Sequence, residues 1–234
     1  MLTLGIDLGT SFVKAAVLDA DTGNFVAAAR FPDQENAILS PQQGWAEQSP
    51  DLWWDQVLAV LHRLNQSPSF DPSKIAAIGI SYQMHGLVCL DDKGGVIRNS
   101  IIWCDSRAVP FGEEAFQKIG PPKALDHLLN SPGNFTAAKL AWVKKNEPDI
   151  YGRIDKIMLP GDFIAYRLTG QLSVTPSSLS EGIFWDFKND ALSKDIMEVF
   201  GFEERIIPPI KEVFSVHGTL SKEMAARTGM KEGI

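Results

Sequence analysis

Polar and apolar residues change places in short runs along the first part of the chain. "LTLGID" from Leu2, "FVKAAVLD" from Phe12 and "NFVAAARF" from Asn24 are rich in β-prone residues, and the polar "LGTS" and "ADTG" fall between them as turns. The same order of parts returns later. "KIAAIGIS" from Lys74, "LVCL" from Leu87 and "VIRNSIIW" from Val96 predict three further strands, separated by "YQMHG" and "DDKGG". A helix lies between the two groups. Ser49 suits its N-cap, Pro50 its first position and Asp51 the positive end of its dipole, and Leu52, Trp53, Val57, Leu61 and Leu64 recur at roughly helical spacing. From Phe111 onward the pattern turns helical. "FGEEAFQKIG", "KALDHLLN", "FTAAKLAWVKKNEP", "PGDFIAYRLTG" and "SKEMAARTG" each carry boundary residues. Thr136 is expected as an N-cap, Pro148 as a stop, and Gly170 and Gly229 as C-terminal glycines. Strands first and helices later, with one helix crossing between strand groups, predict an α/β fold: a mixed sheet flanked by helices.

Composition narrows the partners more than the fold. The chain has 234 residues, of which 44% are hydrophobic, enough for a substantial core in one domain or two small ones. The net charge of −7 argues against nucleic acid or an anionic membrane as the main partner. The two cysteines, Cys89 and Cys104, have no metal-ligand spacing with the four histidines, and both are expected as reduced, largely buried thiols. "MLTLGIDLGT" lacks the basic start of a signal peptide, and no apolar run is long enough to span a bilayer, so a cytoplasmic protein is expected.

Three stretches carry candidate chemistry. In "GIDLGTSFVK", Asp7 ends an apolar strand, and Gly9, Thr10 and Ser11 can turn N–H and O–H donors toward a phosphate. Asp7 suits a metal ion held through water, and Lys14 adds positive charge; a plain hairpin turn with solvated Asp and Lys explains the same residues. In "QMHG", a strand would alternate Gln83 and His85 on one face with Met84 on the other, whereas a strand ending there would leave all three along a cleft. A core histidine with a satisfied hydrogen bond is the alternative. In "IIWCDSR", Trp103, Asp105 and Arg107 combine a flat aromatic face with two charged groups, a set that grips a polyol. The alternative there is a surface Asp105–Arg107 pair of little energetic weight. All three apolar runs end in a polar cluster, and ligands of open α/β sheets gather at strand ends, which favours one cleft.

"GIDLGTSFVKAAVLD", "ISYQMHGLV", "IIWCDSRA", "FTAAKLAWV" and "MLPGDFIAYRLTG", in this order and spacing, resemble the FGGY carbohydrate kinases, and within them the xylulokinase-like members. The resemblance runs over nearly the whole chain. It implies a ribonuclease-H-like domain of the superfamily shared with actin, hexokinase and heat-shock chaperones. Residues 1–234 would be the N-terminal, sugar-binding domain of a two-domain kinase that uses ATP and magnesium. By the same resemblance Asp7 lies near the magnesium ion and the transferred phosphate. Thr10 and Ser11 match the phosphate loop, Lys14 falls where a basic, phosphate-binding residue is common, Met84 and His85 match the substrate-binding pair, and Trp103 and Asp105 match positions lining the sugar pocket. The family's general base is an aspartate in a Gly-rich segment, which is expected beyond residue 234 together with most of the nucleotide site.

Some positions depart from that pattern. Tyr82 stands where a small residue usually precedes "QMHG" and is expected to narrow the pocket. Phe12 replaces a small residue, and Thr175 replaces an aspartate. The expected activity is phosphorylation of a ketopentose, D-xylulose first, with the 234-residue chain inactive alone. Another ketopentose or polyol, and a non-catalytic sugar-binding domain, remain alternatives, and a homodimer is left open. A metal-dependent nuclease is disfavoured by the acidic charge and by the lack of carboxylates to accompany Asp7.

Overall fold

The computed structural model describes all 234 residues. Its main sheet holds β1 (Leu2–Leu8), β2 (Val13–Asp19), β3 (Asn24–Phe31) and, after β4 (Glu47–Gln48) and α1 (Pro50–Asn65), β5 (Ile75–Tyr82). The strand order is β3-β2-β1-β5; β1 pairs antiparallel with β2 and parallel with β5. Period-two alternation sets the two faces. Leu4, Ile6 and Leu8, with Val13, Ala15 and Val17, are buried against Trp53, Val57, Val60, Leu61 and Leu64 of α1. Ser49 accepts from the Leu52 N–H at 3.2 Å and caps α1 as expected. The other face carries Gly5, Ala16 and Gly79, whose small size leaves an open hollow of about 850 Å³, with Asp7, Lys14 and Ser81 among its lining residues.

The remaining elements complete this core and build a second one beside it. They are β6 (Val88–Leu90), β7 (Ser100–Ile101), α2 (Val109–Ile119), α3 (Pro121–Leu128), α4 (Thr136–Asn146), α5 (Pro148–Tyr151), β8 (Lys156–Met158), α6 (Pro160–Thr169), α7 (Pro176–Glu181), β9 (Trp185–Asp186), β10 (Ala191–Leu192), α8 (Lys194–Phe200) and α9 (Lys222–Thr228). β6 pairs with β8, β4 with β7 and β9 with β10. No helix is long and apolar enough to cross a membrane.

Several expectations are corrected. The strand expected over 96–103 shrinks to Ser100–Ile101, because Arg98 is drawn into ion pairs with Glu47 (3.1 Å) and Glu147 (2.9 Å). Thr136 is not a cap. It is the first residue of α4, after Phe135, and its buried hydroxyl has no partner. Cys89 is buried, but Cys104 is exposed, next to the exposed Trp103. Gly170 and Gly229 do end their helices in the left-handed region, at φ 72° and 73°.

Candidate functional site

The C-terminal ends of β1 and β5 stand side by side, with Asp7 opposite Ser81 and Leu8 opposite Tyr82. Asp7 accepts from the Ser81 hydroxyl at 3.0 Å and pairs with Lys14 at 3.2 Å, in register across β1 and β2. Both charged side chains are about half exposed, 44% and 59%, so the pair holds little energy and stays open to a ligand. The turn after β1 is tight: the Gly9 N–H donates to the Phe12 carbonyl at 3.0 Å, and a Cβ at Gly9 would lie 2.8 Å from that same oxygen.

Thr10 ties the turn to two distant segments. Its hydroxyl accepts from the Trp103 indole N–H at 2.9 Å and donates to Gln83 Oε1 at 3.1 Å. Its carbonyl accepts from Gln48 Nε2 at 2.9 Å, and Gln48 Oε1 accepts from Gln83 (3.2 Å) and Trp53 (3.1 Å). A relay of buried amides therefore fixes the "QMHG" turn against the phosphate-type turn. Gln83 points inward; Met84 and Trp103 remain about half exposed.

His85 does not continue β5. The strand ends at Tyr82, and His85 sits at φ 59°, in the left-handed region, so strand alternation does not place Gln83 and His85 on a shared face. Its backbone N–H donates to Glu181 Oε1 at 2.6 Å, its carbonyl accepts from Lys139 Nζ at 2.9 Å, and Phe135 packs edge-on against the imidazole at 4.4 Å between ring centres. Burial, and then the Lys139 cation, push the imidazole below its ordinary value. Lys139 is fully buried, and burial brings its ammonium down to about 8.

Asp105 is not open to a ligand here. Its carboxylate is fully buried and takes the Arg107 guanidinium through Nε and Nη2 at 2.7–3.0 Å, along with the Ala46 N–H. Arg107 itself lies 3.7 Å from the centre of the Trp45 ring and pairs with Glu47 at 2.7 Å. The pair expected at the surface is thus a buried anchor for the segment that carries Trp103.

Tyr82 does not project toward Met84 and Trp103. Its ring lies on Gly161, where a Cβ would come within 1.9 Å of it, and its hydroxyl faces Glu181. Burial, followed by the Asp162 and Glu181 carboxylates, raises the phenol strongly. Burial also raises Glu181 and brings Asp162 up to about 7. Thr175, expected only as a substituted position, caps α7 by accepting from the Ser178 N–H at 3.1 Å. Phe12 lies under Arg30, 5.0 Å from its guanidinium carbon.

The structure therefore gathers Thr10, Trp103 and the Gln83–His85 turn, sets Asp7 and Lys14 at the adjoining strand ends, and assigns Asp105 to support. Ser11 lies in the turn, with its carbonyl accepting from the Asn36 N–H. No cluster of three potential metal ligands exists; of the two carboxylates expected at the site, Asp105 is buried and Asp7 is exposed. That suits magnesium, which takes one or two carboxylates and fills its remaining positions with water and phosphate oxygens. Gln48, Lys139 and Glu181 were not singled out by motif. The one available signal was Lys139 itself, a lone charge inside the apolar "TAAKLAWV".

Comparisons with known proteins bear on the fold and family of the chain. Residues 2–234 match the model of the FGGY family of carbohydrate kinases, N-terminal domain. The chain belongs to the FGGY family of carbohydrate kinases. This FGGY chain is 33% identical to the xylulose kinase of Bacillus subtilis over 98% of its own length and 45% of that protein's. It superposes on the crystal structure of a xylulose kinase from Rhodospirillum rubrum with a TM-score of 0.90 at 28% identity, covering 100% of this chain and 47% of the other. A xyloylose kinase from Brucella ovis gives 0.89 at 33% identity, with the same coverage. The chain spans about half the length of the relatives it matches.

Proposed function

We propose that this chain is the sugar-binding half of an ATP-dependent kinase that phosphorylates a ketopentose, D-xylulose foremost. The observation that carries the reading is the Trp103–Thr10–Gln83 chain of hydrogen bonds. It holds the turn suited to phosphate against the wall suited to sugar. The relatives named xylulose kinase supply the substrate class.

In this reading Trp103 and Met84 cover the C–H faces of the sugar and His85 takes one hydroxyl. The Gly9–Ser11 turn and Lys14 face the transferred phosphoryl group. Magnesium, held through water by Asp7, supplies charge neutralisation on the phosphate oxygens when bound. What the chain's own residues contribute is alignment of a hydroxyl with the phosphoryl group and exclusion of water from it. In this reading the proton acceptor and most of the nucleotide site lie in the half of the relatives' length that this chain does not match, and residues 1–234 alone should bind sugar weakly and not turn over.

A sugar panel with the full-length enzyme, read by ADP release, tests this. D-xylulose should give the highest kcat/KM, and Trp103→Ala should raise the sugar KM by roughly tenfold or more with little change in the KM for ATP. Absence of ADP release with every ketopentose, or turnover by residues 1–234 at the full-length rate, overturns the reading.

A further inference from the structure

The buried Lys139 and the Glu181 carboxylate play no direct part in the chemistry above, yet both converge on His85. The hydrogen bonds around that residue decide its protonation. His85 Nδ1 lies 3.0 Å from the Glu181 carbonyl oxygen. A carbonyl oxygen only accepts, so Nδ1 carries the proton, and in the neutral ring Nε2 is left as an acceptor. Nε2 has no partner in the protein and is not sealed from solvent. The backbone beneath it is held at both ends: Glu181 Oε1 takes the His85 N–H, and Lys139 Nζ gives to the His85 carbonyl. Lys139 is itself fixed by a second bond, to the Asn134 carbonyl at 2.7 Å.

A left-handed, non-glycine conformation costs energy and persists only when its surroundings overdetermine it. Here three elements do so: α4 through Lys139, the C-terminal residue of α7 through Glu181, and the edge of the Phe135 ring. We infer that Lys139 and Glu181 are positioning residues, which hold His85 as the Nδ1-protonated tautomer and so present Nε2 to accept a hydrogen bond from one hydroxyl of the substrate. The inference rests on the sugar site proposed above, but its first readout needs neither sugar nor ATP.

The charged and titratable groups acting on this histidine are Lys139 from α4 and Glu181 from α7; behind them the Tyr82 phenol and Asp162 act on Glu181, and Asp105 and Cys104 on Lys139. Burial first, and then the Lys139 cation, disfavour a second proton on His85, so the ring stays neutral at lower pH than an ordinary histidine.

The test uses the full-length protein with 15N-labelled histidine and His85→Gln to assign the signals. Long-range 1H–15N correlation should show a proton-bearing Nδ1 and an unprotonated Nε2 for His85, titrating below the free-histidine midpoint. Lys139→Met, which keeps the stem and removes the charge, should raise that midpoint. It should also raise the sugar KM by roughly tenfold without moving the KM for ATP. Glu181→Gln, which keeps an acceptor for the His85 N–H, should preserve the tautomer and most of the sugar affinity, whereas Glu181→Ala should lose affinity. A proton on Nε2 in the unsubstituted protein overturns the inference even if the variants fail to fold. So does an unchanged midpoint and sugar KM in folded Lys139→Met. The expected tautomer and midpoint shift in an enzyme that phosphorylates no ketopentose would support the positioning and reject the sugar assignment.

Discussion

Asp105 and Arg107 show how one residue's burial changes its meaning. A carboxylate removed from water costs several kcal/mol unless its lone pairs are filled, and here Arg107 and the Ala46 N–H fill them. Asp105→Asn leaves a guanidinium buried against Trp45 with half its partners, and should destabilise the protein by about 3–5 kcal/mol. A urea unfolding curve reads this as a lower midpoint with unchanged slope. Asp105→Asn combined with Arg107→Met should cost less than the sum of the single changes, since each single change strands the partner's charge and the double change removes both. The spacing in "WCDSR" made the pair visible in the sequence, but not its burial. The groups that cover it, Trp45 and Trp142, come from remote segments. Asp7 and Trp103 were legible because they stand at the ends of apolar runs, and Thr10 because it follows Gly9 in the polar turn after one. Lys139 and Glu181 were not, because their partner is the backbone of His85, and a sequence does not display backbone partners.

At the scale of the element, the first turn of α6 carries two coupled features. Gly161 would ordinarily gain about 1 kcal/mol on replacement by alanine within a helix. Here the added Cβ meets the Tyr82 ring at 1.9 Å, so Gly161→Ala should instead destabilise, by about 1–3 kcal/mol. In a Tyr82→Gly background the same change should become nearly neutral, and a double-mutant cycle on thermal or urea unfolding measures that coupling.

One position further, the Asp162 carboxylate accepts from the Leu159 N–H at 3.4 Å, and burial raises its pKa from 3.8 to about 7. A carboxyl whose folded pKa lies above its unfolded value binds more protons folded. It therefore contributes stability below pH 3.8 that is lost as pH rises to about 7. Asp162→Asn should flatten that pH dependence, by up to about 4 kcal/mol across the window, seen as unfolding midpoints that converge at acid pH and diverge at neutral pH. The helices that the sequence displayed were those with caps and clean stops, such as Ser49 before α1 and Gly170 after α6. α7 and α8, between Gly170 and the 3₁₀ turn at Glu204–Ile206, are too short to establish an apolar period, although Thr175 and Ser193 do cap them.

At the scale of the molecule, two apolar cores share one wall. Val88, Leu90 and Met158 belong to the core between the main sheet and α1, whereas Leu87, Cys89 and Ile157 belong to the core among α2, α3, α4 and α8. The β6–β8 ribbon thus feeds alternate side chains to opposite sides. Ile102 and Ile101 divide in the same way. Such a wall cannot lose one side without loosening the other, because the same backbone ladder sets both rows of side chains. The two cores should therefore unfold together, in one calorimetric transition. Met158→Ala and Ile157→Ala face different cores, yet each should lower that single transition, by about 2–5 kcal/mol of stability. If either substitution splits the melt into two steps, with only its own side destabilised, the ribbon is a boundary between independent units and the shared-wall argument fails. A single lowered transition in both would mean that the segment bearing Trp103, with Ile101 in one core and Ile102 in the other, is held by the whole molecule.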